Sequence, residues 1–326
     1  MNRNNNLNPR TLVYTPTECS NAYVEHAKRI AANPGLTWGV GKIDRVTIPM
    51  RCPDVVSIVA RAGHGKSSLS AYLIRKTAKE LITREAVNEC VVYASLEQNV
   101  EEIEAFFQLD GTYNVTDFAF GRVPIDVITT GAVKRIGNPI WMLGKSMNRR
   151  RQSPPMTIDN IYRAVETIET DYKIKPILIV IDYIQIVPVE HARERYEQVG
   201  EAIARAKTDL APDSGCPVVL CVQAGRQVDA RDSKVPGPAD CQHSSAIEQA
   251  SDKGFGLWRP ALTEPLDNPA GKRSFVEVGN EKIPVTQQTL IMKMWKQRFA
   301  AAGHMWALSF APEYVRLAEL ELRDYD

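Results

Sequence analysis

The chain has 326 residues, 24% of them charged and 44% apolar, enough to bury the core of one large domain. Forty basic side chains face thirty-nine acidic ones, so the net charge is +1. That balance excludes a protein that coats nucleic acid with a basic surface, and leaves only a local patch for such contacts. No apolar run approaches the roughly 20 residues that span a bilayer. The start, MNRNNNLNPR, carries no apolar stretch behind its charges, so it is not a secretory leader and a cytoplasmic protein is expected. Six cysteines (19, 52, 90, 216, 221 and 241) show no C-x-x-C spacing, which favours reduced thiols over a disulfide or zinc framework. The five histidines show no ligand spacing either.

In chain order, the polar, Asn-rich first ten residues read as disordered. Thr15-Pro16-Thr17-Glu18 then announces a helix over 16–32, with a capping threonine, Pro at the first helical position and Glu at the third. Tyr23, Ala27, Ile30 and Ala31 follow at helical spacing, and Asn33-Pro34-Gly35 ends it. Short apolar runs then alternate with amphipathic stretches. Val55–Ala60, Cys90–Ser95, Pro139–Leu143, Ile177–Ile181 and Val218–Val222 read as strands, and residues 67–83, 157–173 and 192–210 as helices. Thr289–Trp295 and Met305–Phe310 read as two strands joined by a tight turn. Such alternation predicts an α/β fold, a mostly parallel sheet with helices on both faces. Ligands of such sheets sit at the carboxyl ends of the strands. Residues 144–156 and 260–287 resist assignment.

Ala60-Arg61-Ala62-Gly63-His64-Gly65-Lys66-Ser67 directly follows the first strand and opens a helix. This is the P-loop pattern with Ala at its first position. Small residues let backbone N–H groups, from Arg61 to Ser68, curl round a phosphate at a helix N-terminus. Lys66 would reach the β- and γ-phosphates and the Ser67 hydroxyl would ligate Mg²⁺, which predicts ATP and Mg²⁺ as ligands. Pro176–Asp182 delivers a carboxylate at the end of an aliphatic run, where a parallel strand would place it beside the P-loop. An Asp there is often only a cap or turn residue; behind a P-loop it becomes the metal carboxylate. Ser95-Leu96-Glu97 ends the strand after the P-loop helix. Glu97 could polarise an attacking water, although a Glu in that position is commonly a solvated surface residue.

These residues resemble the motor domain of the DnaB-type replicative helicases, a RecA-like fold. The resemblance runs from about residue 35 to residue 310. Gly35-Leu36-Thr37 with Ile43-Asp44 resembles the family's entry to the first strand. Tyr93-Ala94-Ser95-Leu96-Glu97 resembles the motif whose Glu is the family's catalytic base. Ile181-Asp182-Tyr183-Ile184-Gln185 resembles its Walker B signature. Pro217–Gln223, followed by Ala-Gly-Arg226 and Arg231, resembles a strand ending in a sensor glutamine, and Gln223 would sense the γ-phosphate. Ser244–Gln249 resembles the Ser-Ile-Glu-Gln motif after the DNA-facing loop. Lys296-Gln297-Arg298 stands where the family has Lys-x-Arg, the finger that reaches a neighbour's ATP. Two residues apart on a β-like run, Lys296 and Arg298 would point the same way; without the resemblance they read as a solvated basic edge.

The resemblance implies a ring, hexameric in the family, that hydrolyses ATP between subunits and translocates on single-stranded DNA. A loader or a primase would be partners. Residues 1–34 would hold a disordered start plus a linker helix that packs on the adjacent subunit, or on its own domain, and 35–326 the motor. The family's amino-terminal domain, which meets primase, is missing from the resemblance, and on the resemblance alone the short start suggests a helicase of a phage, plasmid or mobile element. DNA-contact candidates are Arg226, Arg231 and Lys234 in the loop after Gln223, and Lys145 with Arg149, Arg150 and Arg151. Gln242 stands where the family has a phosphate-contacting Arg and would grip less strongly. Trp258, Trp295 and Trp306 have apolar strand neighbours and read as core rather than as base-stacking platforms. Two other classes stay open: a RecA-like ATPase that loads or remodels partners on DNA without unwinding, and a P-loop kinase of small molecules. The lack of an evident lid and the Lys-x-Arg pair disfavour the kinase.

Overall fold

Five aliphatic residues and Ser57, Val55–Ala60, form a strand (β1) in which every residue is buried. Continuous apolar runs of this kind suit a parallel strand covered on both faces. The same holds for Glu89–Ser95 (β2), Lys175–Asp182 (β4) and Val218–Gln223 (β5), which are buried over most of their length. The structure, a computed structural model, describes residues 12–109, 111–148, 153–189, 195–231, 233–241, 244–269 and 271–321. The expected disorder of the first ten residues, the start of the 192–210 helix, Arg149 to Arg151 and Gln242 lie outside these.

The chain divides into two units, Met1–Leu36 and Thr37–Asp326. The first holds helix α1, Pro16–Ala32, opened as expected by Thr15: its hydroxyl accepts from Glu18 N–H and the Glu18 carboxylate accepts from Thr15 N–H at 2.7 Å. No residue of α1 is buried, and Tyr23 is 73% exposed.

The second unit is built on a nine-stranded sheet. With Ile140–Gly144 (β3), Lys253–Trp258 (β6), Thr289–Gln297 (β9), Met305–Ala311 (β10) and Arg316–Glu319 (β11), its order is β11-β10-β9-β6-β1-β5-β4-β2-β3. Strands β6, β1, β5, β4, β2 and β3 are parallel; β9, β10 and β11 run antiparallel at one edge. Helices cover both faces, as strand alternation requires. Cys221 of β5 touches Ser70 of the P-loop helix, Lys66–Thr83 (α2), on one face. Its neighbours Leu220 and Val222 pack on the other, with Ile161 and Val165 of Ile158–Asp171 (α4) and Val199 and Ile203 of Arg195–Arg205 (α5).

Several elements differ from the sequence reading. Strand β6 was not expected, because its two glycines dilute the apolar pattern. Gly256 is required there: a Cβ would stand 1.9 Å from the Pro236 carbonyl oxygen. Helix α3, Ile125–Ile136, was also not expected; Ile, Val, Thr and Gly dominate it and favour helix poorly. Residues 260–287 contain a hairpin, Phe275–Val278 (β7) with Glu281–Pro284 (β8). Its Val278 and Ile283 pack against Trp258 and Ile291. The expected tight turn between β9 and β10 is instead a loop over 298–304. The ladder closes early, Gly303 N–H donating to Met294 O at 2.7 Å. The Gln297 amide then holds the loop, donating to Ala301 O at 3.1 Å and Val46 O at 3.0 Å. Trp258 and Trp306 are buried, and Trp295 packs on the core. Among the described residues all six cysteines are free thiols, and no helix is long and apolar enough to cross a membrane.

Candidate phosphate site at the carboxyl edge of the sheet

The loop between β1 and α2 turns through Gly63 and Gly65, whose φ angles are +80° and +86°. Gly65 is needed for space as well as conformation: a Cβ would lie 2.4 Å from a Phe310 ring carbon. Helix α2 then presents the free N–H groups of its first turn, with Ser67 partly exposed and Ser68 buried beside it. His64 is 4% exposed, and its Nδ1 accepts the Arg259 N–H at 3.0 Å. Burial lowers the His64 imidazole to about 4, with Arg259 and Arg61 helping and Asp229 opposing. The Arg61 side chain is not available to a phosphate. Its Nε sits 3.0 and 3.2 Å from the Asp229 oxygens and Nη1 donates to Ala224 O at 3.2 Å. Of Arg61, only the backbone can serve the loop; its side chain ties the loop to the segment after β5.

Asp182 ends β4, which lies not next to β1 but one strand beyond, with β5 between. The Lys66 side chain bridges that gap, its Nζ 3.6 Å from Asp182 Oδ1. Burial alone would lower the Lys66 ammonium; Asp182, with Glu97 among the other neighbours, outweighs it and holds the group above its ordinary value. Asp182 Oδ2 accepts the Tyr93 hydroxyl at 2.7 Å. Oδ1 is buried without a hydrogen bond. That orphaned oxygen, beside the opening turn of α2, fits a divalent cation shared with Ser67. Among the described residues no three His, Cys, Asp or Glu side chains cluster as a metal site, so phosphate oxygens would complete the shell.

Gln223 ends β5, where the β4–β5 ladder has already stopped at Ile181 and Leu220. The Gln185 amide spans the opening: its Nε2 donates to Gln223 O at 2.9 Å and its Oε1 accepts the Gln223 N–H at 3.1 Å. Leu96 N–H donates to Asp182 O at 2.9 Å, so β2 stays in register to its tip and Glu97 is exposed at the same edge. Sequence reasoning places Tyr93 and Gln185 within motifs without giving either a role. The signal is a hydroxyl inside an apolar run and an amide next to a strand end.

Lys296 and Arg298 lie elsewhere. Lys296 pairs with Gly254, near the start of β6, and Arg298 N–H donates to Asp252 O. The Lys296 ammonium donates to Glu248 O. Arg298 is therefore level with Val55, at the far end of β1 from Ala60. Five residues of strand put about 17 Å between those levels.

The basic candidates are unequal. Arg231 pairs with Asp240 at 2.8 Å and Lys234 pairs with Glu264. Arg226 and Lys145 are exposed and have no ion pair among the described residues.

Residues 35–319 match the family described as DnaB-like helicase C terminal domain. The replicative DNA helicase DnaB of Geobacillus stearothermophilus is 23% identical over 296 residues, covering 89% of this chain and 57% of the relative. The replicative DNA helicase DnaC of Bacillus subtilis is 22% identical over 291 residues, with the same coverages of 89% and 57%. The chain thus spans little more than half the length of these relatives. A solved ATPase domain superposes with a TM-score of 0.71 at 20% identity, over 93% of this chain and 98% of that one. A DnaB-like replicative helicase, described with its interactions with primase, gives 0.70 at 19% identity over 95% of this chain and 68% of that one. Those likenesses establish a RecA-like fold, and the match across 35–319 places the chain in the DnaB-like helicase C-terminal domain family.

Proposed function

We propose that the chain is an ATP-driven motor that assembles head to tail, hydrolyses ATP at the seams, and moves along single-stranded DNA to unwind duplex, as a ring of six on the family's pattern. One observation carries this reading. The residues that would hold phosphate stand at the carboxyl edge of the sheet, while Lys296 and Arg298 stand at the opposite edge, beyond reach of a phosphate bound there in the same copy. Two cations so placed are useful to a phosphate only in another copy.

In that arrangement the α2 N-terminus and Lys66 hold the triphosphate. Mg²⁺, held by Ser67 and Asp182, would neutralise phosphate charge. Glu97 orients water and accepts its proton. Gln223 bonds a γ-phosphate oxygen and passes its state to the loop behind it. The exposed face of α1 is offered to an adjoining copy. Arg226 is the exposed cation of the loop after β5, with Lys145 and the Arg149–Arg151 run as further contacts for DNA.

The test is ATP turnover with and without single-stranded DNA, then separation of a fluorescent fork. Lys66→Ala and Arg298→Ala should each abolish turnover, and their mixture should regain part of it through composite sites. Turnover surviving in Lys66→Ala would remove the site assignment. A second reading, an ATPase that loads or remodels partners on DNA without unwinding, is favoured by the neutralised Arg231 and Lys234, which weaken the grip on a strand. Full DNA-stimulated turnover without strand separation would select it.

A further inference from the structure

Asp252 lies between Ser244–Ala250 (α6) and β6, far from the P-loop, and its carboxylate is 5% exposed. A buried carboxylate is costly unless satisfied, and every polar group of this residue has a partner. Oδ2 accepts from the Val55 N–H at 2.8 Å and from Lys207 Nζ at 2.5 Å. Oδ1 lies 3.2 Å from Arg298 Nε. The Asp252 N–H donates to Val55 O at 2.8 Å and its C=O accepts from Arg298 N–H at 2.9 Å.

Arg298 is therefore fixed at its main chain and at Nε, while 49% of its side chain is exposed. Among the described residues its two Nη groups have no partner. Those are the groups that grip phosphate as a fork. Lys207 alone already balances the carboxylate, so Arg298 is a surplus cation here. Lys296 registers the surplus: its ammonium is held below the ordinary value, first by burial and then by the charge of Arg298, against the pull of Asp252 and Glu248. With Lys207 spent on Asp252, Lys296 and Arg298 form a corner with more positive charge than the chain itself satisfies, and an oxyanion from outside would complete it.

We propose that Asp252 is a positioning residue: through Nε it sets the angle and reach of the Arg298 fork toward a phosphate bound by an adjoining copy. The proposal rests on the shared-site reading above. It also gives the pairing with Val55 a purpose, because β1 runs from Val55 to the P-loop and so ties the fork to the other half-site.

The test uses Asp252→Asn, which keeps an acceptor for the Val55 N–H but loses the charge on Nε, and Arg298→Lys, which keeps a cation but has no second nitrogen to anchor. Each should lower kcat for ATP at least tenfold with KM within twofold, and sediment as the parent does. Each, mixed with Lys66→Ala, should regain turnover, since the P-loop of the variant is intact and the partner supplies a sound fork. Lys207→Met, which strips the other cation from the same carboxylate, should keep parental turnover. Arg298→Lys at parental kcat would overturn the proposal, even if Asp252→Asn did not fold. So would a deficit in Asp252→Asn that Lys207→Met reproduces, or that mixing repairs for Arg298→Ala but not for Asp252→Asn. Parental turnover in Arg298→Ala would instead overturn the shared-site reading, and this proposal with it.

Discussion

His64 converts the geometry of the phosphate loop into a pH dependence of stability. Its imidazole is buried, and Nδ1 must be unprotonated to accept the Arg259 N–H. The folded value is about 4 against an ordinary 6.5, so folding depresses it. The unfolded chain therefore binds a proton that the native state refuses. The stability contributed is full above pH 6.5 and is lost as the pH falls toward 4. At about 1.36 kcal/mol per unit, the 1.5 units between pH 6.5 and pH 5 correspond to about 2 kcal/mol. Asn at position 64 offers an oxygen near the place of Nδ1 and does not titrate. Urea unfolding of nucleotide-free protein at pH 7.5 and pH 5 should show the parent losing about 2 kcal/mol more than His64→Asn. Equal losses in the two proteins, or an imidazole resonance of folded protein titrating near 6.5, would refute the argument.

Other outcomes follow from single contacts. Tyr93→Phe leaves Asp182 Oδ2 without its donor and should destabilise by about 1–3 kcal/mol in urea; unchanged stability would deny the bond. Gln185→Ala removes both links to the Gln223 main chain, so the Gln223 amide should exchange with deuterium many times faster while β1 amides do not change. Gly256→Ala drives a methyl into a backbone carbonyl and should cost at least about 3 kcal/mol. Gly200→Ala, in a helix with its nearest neighbour 4.0 Å away, should stabilise by up to about 1 kcal/mol. Unchanged stability in Gly256→Ala would deny the close approach at β6, and a loss in Gly200→Ala would deny the open space beside that helix.

The site was legible where chemistry dictates residue type at fixed spacing. Gly63, Gly65, Lys66 and Ser67 announce a loop that wraps an anion, and an Asp closing an aliphatic run announces a strand tip. What the sequence could not convey is which tips are neighbours. It put Asp182 beside the P-loop without telling that β5 intervenes and that Lys66 reaches across it. Arg61 looked like a phosphate ligand by position, yet only its distance from Asp229, a residue 168 positions later, shows where its guanidinium is spent. The elements that went unread share one cause. In β6, helix α3 and the β7–β8 hairpin, tertiary contacts override weak local preference: a carbonyl pressing on Gly256, and Val278 and Ile283 finding Trp258.

The placement of the two half-sites also constrains how copies can meet. In a two-fold dimer both partners use the same patch. For such a dimer to complete two sites, Arg298 would have to lie within the patch that surrounds Lys66. Instead the length of β1 separates them, and Arg298 is anchored on Asp252 at the end of β1 far from Lys66. Copies that lend Arg298 to a neighbour's phosphate must then associate head to tail, each giving at one end of β1 and receiving at the other. Head-to-tail contacts close into rings or continue as helical filaments, and no stoichiometry of two can satisfy every copy. Sedimentation with a non-hydrolysable ATP analogue should therefore show species larger than a dimer. A Lys66→Ala subunit doped into the parent should silence its own site and leave its neighbour's finger partner active, so turnover should fall in proportion to the doping at low levels if sites act independently, and more steeply if they fire in sequence round a ring. A stable two-fold dimer with full turnover would contradict the separation on which the shared site is built.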